Sequence, residues 1–295
     1  MSGNRGYKRG HHNRHRNDKP KALVGEKGRE ILKEIDENNA VIKAFRGYAV
    51  ELDNKHDRYE RIVKISRDIT IESKRIIFLL HNIDKENKRD AILQEAESRL
   101  QVLVTNHFSY IAVELITQDT YQFLRAYTGG LQEFIEALTF YQYLKNNAIE
   151  HWSHIEKQFI YDVPDAVDSS CSLVTITKQM KTPLPAVEYI LGIADLTGEL
   201  MRKCINNLGS GNIDDCFRTC NFVRDLYKGF LVVGGAQGYK EIGRKIYVLK
   251  QSLYKMEMVC YNIIVRGSEI PKHMLAAVVT TSGSDMTQDE DEGYY

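Results

Sequence analysis

The chain has 295 residues, 43% hydrophobic and 27% charged, with 40 basic and 40 acidic side chains in balance. That length buries a substantial core, and no apolar run approaches the roughly 18 residues that span a bilayer. The N-terminus is basic rather than apolar, so neither a membrane span nor a secretory signal is indicated.

The neutral total hides an asymmetry. Residues 1–39 form a basic arm, whose first 20 positions carry six Lys/Arg and three His against one Asp. Residues 280–295 form an acidic tail, and the last 15 positions hold five acids and no base. Neither end has apolar periodicity, so both are expected to be disordered, the arm being an import signal, a phosphate-seeking tail or simply solvated. Five cysteines, Cys171, Cys204, Cys216, Cys220 and Cys260, are an odd number that suits free thiols in a reducing compartment. Cys216 and Cys220 stand four apart, but no second pair has zinc-ligand spacing.

Between the arms, over 40–279, few prolines and a dominant helical period predict an all-α fold, a single bundle of long antiparallel helices. From Ala40 to Asp84, Ile62, Ile65, Ile69, Ile76, Leu79 and Ile83 step by three or four. One place on that stripe is taken by Glu72. A second helix is expected over Lys88 to Leu115 and a third over Thr120 to Asn147. Residues 148–184 break the rhythm and read as a long surface connection, with His151 and His154 on the surface beside Trp152.

Periodicity resumes at "PAVEYILGIADLTGELMRKCINNLG", ending at Gly209, and continues in "IDDCFRTCNFVRDLYKGFLVV". The "GGAQG" stretch (Gly234 to Gly238) lacks the Lys-Ser/Thr and the βαβ surroundings of a phosphate loop and reads as an interhelical turn. In the last helix Ile242, Ile246, Leu249, Leu253, Met256, Cys260 and Ile263 form a heptad seam. Tyr247, Tyr254 and Tyr261 repeat every seven residues on a different face, which suggests a second interface beyond the bundle. On this pattern the chain is expected to need a partner for solubility.

Two acid pairs stand out. Glu133 and Glu136 lie about 60° apart on one helix face, and Asp195 and Glu199 about 40° apart on another. Like charges at this spacing repel, and an unpaired carboxylate in a dry site costs several kcal/mol or takes up a proton. Solvent, basic partners or a metal ion would each relieve them. An all-oxygen set favours Mg²⁺ or Mn²⁺ over zinc, and no Glu-x-x-His supports a di-iron centre. Glu72 is a candidate further ligand, or else a salt bridge to a neighbouring helix. Arg61, Lys64, Arg67 and Arg202 are candidate phosphate contacts, or else a solvated face. No exposed basic helix for reading base edges stands out.

The stretches "HDRYERIVKISRDITIESKRIIFLLH", "GLQEFIEALTF", "YILGIADLTGELMRKCIN" and "LKQSLYKMEMVCYNIIVRGSEIPKHML" closely resemble the translin family, on the side of translin's catalytic partner. The resemblance spans roughly residues 40 to 279; the arms and the 148–184 connection match poorly. It implies an all-helical subunit that closes into a hetero-oligomeric barrel with translin, in cytoplasm and nucleus. It also implies a Mg²⁺-dependent endoribonuclease acting on single-stranded RNA, in passenger-strand fragment removal during RNA silencing and in RNA processing. The family's Glu-x-x-Glu falls on Glu133 and Glu136 and its Asp-x-x-x-Glu on Asp195 and Glu199. Carried over, these make Glu133, Glu136 and Asp195 ligands and Glu199 a ligand or general base. The competing reading is a non-catalytic helical scaffold that stabilises translin, binds nucleic acid or bridges nuclear partners, its acids merely structural.

Overall fold

A computed structural model describes residues 35–83, 88–164, 177–210, 212–234 and 240–266, with Gly25, Gly28 and Lys33. Most of the basic arm, the acidic tail, Cys171 and most of the "GGAQG" stretch lie outside the described residues. The helices are α1 (Ala40–Leu80), α2 (Arg89–Val102), α3 (Ser109–Glu114), α4 (Thr120–Asn146), α5 (Trp152–Lys157), α6 (Ala186–Ser210), α7 (Ile213–Gly234) and α8 (Lys240–Arg266). A π-helical turn (Leu103–Phe108) joins α2 to α3, and two strands, β1 (Ile160–Pro164) and β2 (Thr177–Lys181), follow α5. The all-α expectation holds.

The chain divides into two compact units, residues 1–55 and 56–295, the division falling within α1. In the first, Asn39 starts α1 by accepting a hydrogen bond from the Val41 N–H (2.9 Å). Val41, Phe45, Tyr48 and Leu52 then form a seam at i, i+4, i+7 and i+11 whose members are all more than half exposed.

In the second unit α4 is the most buried helix, with Leu131, Phe134, Ile135, Ala137 and Phe140 fully enclosed. Asp119 starts it by accepting from the Tyr121 N–H, and Asn147, in the left-handed conformation (φ 53°), ends it. Helices α6, α7 and α8 pack on one another, and α6 packs on α4. The predicted α8 seam faces inward: Ile242, Leu249, Leu253, Met256, Cys260 and Ile263 are buried and Ile246 half-buried.

Two glycines let these helices approach closely. A Cβ on Gly130 would stand 2.6 Å from the Ser66 carbonyl oxygen of α1, and one on Gly192 of α6 would stand 2.7 Å from Ile135 Cβ of α4. Each lies three residues before an acid singled out in the sequence, Glu133 and Asp195.

The structure corrects three expectations. The helix expected over 88–115 is interrupted by the π-helical turn, within which the Val104 carbonyl accepts from Tyr161 O–H and the Phe108 carbonyl from Thr182 O–H. The 148–184 connection is not wholly irregular, because α5 and the antiparallel β1–β2 pair lie in it, with Ile160 opposite Lys181 and Asp162 opposite Gln179. Strands of five residues joined by a distant pairing leave too short a pattern to be read locally. Helix α6 runs to Ser210 rather than ending at Gly209.

The four cysteines among the described residues are free and buried. Hydrogen bonding to Cys216 and then burial push the Cys204 thiol up, and Cys260 is raised in the same way by Cys220. Their partners Cys216 and Cys220 are lowered by accepting those bonds.

Gly130→Ala is expected to destabilise the fold by about 1–3 kcal/mol through overpacking. Gly129→Ala, where an added Cβ meets nothing within 4 Å, is neutral or stabilising by about 1 kcal/mol through helix propensity. Thermal unfolding of the two variants side by side checks the contrast.

Candidate functional site

Helices α4 and α6 bring both acid pairs to one cavity of about 670 Å³. Glu133 and Glu136 enter it from α4, Asp195 and Glu199 from α6, Lys74 and Phe78 from α1, and Lys245 and Val248 from α8. The pairs meet because the Gly192–Ile135 crossing puts α6 against α4 within one turn of the acids.

Three of the four acids have cationic or hydrogen-bonding partners. Lys74 Nζ lies 3.0 Å from Glu133 Oε1. Lys245 Nζ donates to Asp195 Oδ1. Glu199 Oε2 faces His81 Nε2 at 2.5 Å and Arg202 Nη1 at 3.2 Å. His81, in the turn after α1, packs on Phe140 with ring centroids 4.9 Å apart and planes tilted by 46°.

Glu136 makes no ion pair among the described residues. Burial, followed by the charges of Asp195, Glu133 and Glu199, pushes its carboxyl up to about 8. The carboxyl thus combines burial with three like charges in one cavity, and no cation pairs with it among the described residues. The donor set, four carboxylates, matches a hard divalent cation. As placed, no three acid, His or Cys side chains among the described residues converge at ligand distance. The acids share a cavity, and Lys74 and Lys245 each pair with one of them.

Glu72 lies elsewhere. It lines a separate cavity of about 270 Å³ with Asp68, Arg75, Arg99 and His107. Arg99 of α2 holds its carboxylate at 2.7 Å, and hydrogen bonding from that guanidinium lowers its pKa. The buried stripe of α1 explains the difference: it runs through Ile62, Ser66, Ile69, Ser73, Ile76 and Leu80, so two serines, not Glu72, occupy the inward places. Arg61 is bound by Glu114 of α3 at 2.7 Å, while Lys64 and Arg67 are exposed. None of these three lines the acid cavity, whereas Arg202 does. Lys74, Lys245 and His81 escaped the sequence reading because nothing local shows which acid each will meet.

The pattern of the Translin family matches residues 57–267. The chain belongs to the translin family. It is 44% identical to Translin-associated protein X of Pongo abelii over 263 residues, covering 88% of this chain and 90% of that one. The Translin-associated protein X homolog of Schizosaccharomyces pombe (strain 972 / ATCC 24843) is 27% identical over 76% of this chain and 89% of its own. Among solved structures, apo-NeC3PO shares the fold with a TM-score of 0.51 at 21% identity, over 72% of this chain and 93% of that one. The translin-family match spans both acid pairs and leaves out residues 1–56.

Two measurements check this geometry. A carboxyl raised above its unfolded value of 4.5 favours the folded state while protonated. Its contribution is therefore complete below about pH 4.5 and lost as pH rises through about 8. Glu136→Gln stays neutral throughout, so its Tm gains on that of the parent chain across this window, equivalent to a few kcal/mol at about pH 8. Parallel Tm–pH curves would contradict the assignment. Glu72→Gln, by contrast, is expected to cost about 1–2 kcal/mol in denaturant unfolding through its lost bond to Arg99, with no change in the acid cavity.

Proposed function

We propose that the chain is the catalytic subunit of a divalent-metal-dependent endoribonuclease that works in a hetero-oligomer with translin on single-stranded RNA. The observation that carries this reading is the shared cavity of four acids, one of which, Glu136, is pushed up to about 8 by burial and then by the charges of the other three. The 44% identity to Translin-associated protein X over most of both chains supports it.

Glu133, Glu136 and Asp195 are the residues that would hold Mg²⁺ or Mn²⁺, with Glu199 at the edge of the set. When bound, such an ion lowers the pKa of a coordinated water and neutralises charge on a phosphodiester. The protein's own groups divide the remaining work. Lys74 and Lys245, released from Glu133 and Asp195, are placed to hold phosphate oxygens in the same cavity. Glu199 Oε2, oriented by His81, takes the proton of the attacking water. The water oxygen bonds to phosphorus as the P–O bond to the leaving ribose oxygen breaks; that oxygen takes a proton from solvent water, and Glu199 returns its own to solvent. Phe78, 75% exposed on the cavity wall, offers a ring to an unpaired base. The exposed seam Val41–Leu52 of α1 supports a helical partner, because an apolar stripe of that length is characteristic of a docking face.

A scaffold role rests on a specific observation too: Lys74, Lys245 and Arg202 already pair three of the acids. The two readings separate in a Glu133→Gln, Glu136→Gln variant purified with translin. Mg²⁺-dependent cleavage of single-stranded RNA is expected to fall at least about a hundredfold with the assembly intact. Added Mg²⁺ is expected to raise the Tm of the parent assembly at about pH 8 and to leave that of the variant unchanged. Undiminished cleavage would establish the scaffold.

A further inference from the structure

The outer face of α8 carries a pattern that the acid cavity does not use. Tyr247, Tyr254 and Tyr261 are 59%, 51% and 58% exposed. At 100° per residue they fall within about 40° of one another and follow the axis at intervals of about 10.5 Å. Lys240, Arg244, Lys250 and Lys255, all exposed, lie on both sides of this line, within about 100° of Tyr254. None of these four makes an ion pair among the described residues. The acids of α8 are only Glu241 and Glu257, and Glu257 is held by Arg224 at 2.8 Å. The face is therefore aromatic and positively charged, although the whole chain is neutral. Summed charge concealed it from the sequence reading, which found no exposed basic helix.

We propose that this face of α8 binds single-stranded RNA, the three rings stacking on bases and the four cations holding phosphates. Charge complementarity favours this occupant over a second protein, because the cores of protein interfaces are depleted in lysine. A base-paired helix keeps its base faces covered, whereas an unpaired strand can present them to successive rings. The same helix reaches the acid cavity: Lys245, on its opposite side, bonds Asp195, and Val248, next to Tyr247, lines the cavity. A strand bound along the outer face reaches the acids only by passing around α8, because Lys245 lies about 180° from Tyr254. That route rests on the nuclease reading; binding to the face does not.

The test uses the full chain in the assembly in which it purifies, with EDTA to stop cleavage, and fluorescence anisotropy of a labelled single-stranded RNA. Each Tyr→Ala change is expected to weaken binding about fivefold and the triple change about a hundredfold, with assembly mass unchanged. Tyr→Phe changes should retain binding, and duplex RNA of equal length should bind more weakly than the single strand. Unchanged affinity in the triple variant overturns the proposal. So does dissociation of that variant's assembly, which would make the face a protein interface. Should the triple variant fail to fold, photocrosslinking of 4-thiouridine RNA to the parent chain decides: adducts within residues 247–261 support the site, and their absence overturns it. Glu133→Gln, Glu136→Gln separates the two proposals. Loss of cleavage there with normal binding in the tyrosine variants leaves the nuclease standing and removes this face; the converse removes the nuclease alone.

Discussion

Two close helix crossings govern where the acids of this chain stand. Where α4 meets α1, only a residue without Cβ fits beneath the Ser66 carbonyl, and where α6 meets α4, Ile135 fills the space a side chain at position 192 would need. Packed interiors deform little, so a contact of this kind fixes position and rotation together. One turn beyond each glycine stands an acid. The crossings therefore carry Glu133, Glu136, Asp195 and Glu199 to a common space instead of to four separate surfaces. Phe108, Phe134 and Phe159, in edge-to-face contact at 4.7–5.8 Å, fill the core behind α4.

Bringing four carboxylates together creates an electrostatic problem that the fold solves only in part. Lysines from α1 and α8, an arginine on α6 and a histidine after α1 attend to three of them. Glu136 has burial and like charge around it and responds by holding a proton toward neutral pH. Elsewhere the same chain compensates its half-buried acids well, as Glu72 with Arg99, Glu114 with Arg61 and Asp215 with Lys203 show. The contrast gives the acid cavity its meaning. Deficient compensation is concentrated at Glu136, inside the cavity that the four acids share.

Glu72 takes the second of its two sequence readings, a salt bridge to a neighbouring helix. It interrupts a run of isoleucines at helical spacing and so looks inward. The helix instead turns Ser66 and Ser73 to the core, and Ser66 sits beneath Gly130, donating no bulk where two backbones nearly touch. A half-buried rim was enough for Glu72 to find Arg99. Hydrophobic periodicity locates a stripe to within a residue or two, and a shift of one position moves a side chain by 100°.

The sequence by itself determined the all-α class, the spans of the long helices to within a few residues, the buried seam of α8 and the two acid pairs. All of these follow from local rules: the 3.6-residue period, capping residues and the angular spacing of side chains three or four apart. The family motifs were equally legible, because they are contiguous words. Only the tertiary structure decided that the two acid pairs share one cavity, that Lys74, Lys245 and His81 belong to it, that Glu72 does not, and that five-residue strands pair across a long connection. Those facts depend on which helix faces meet and at what rotation. That outcome arises from packing between residues up to 118 apart in the chain, as His81 and Glu199 are, and no window of local sequence contains it.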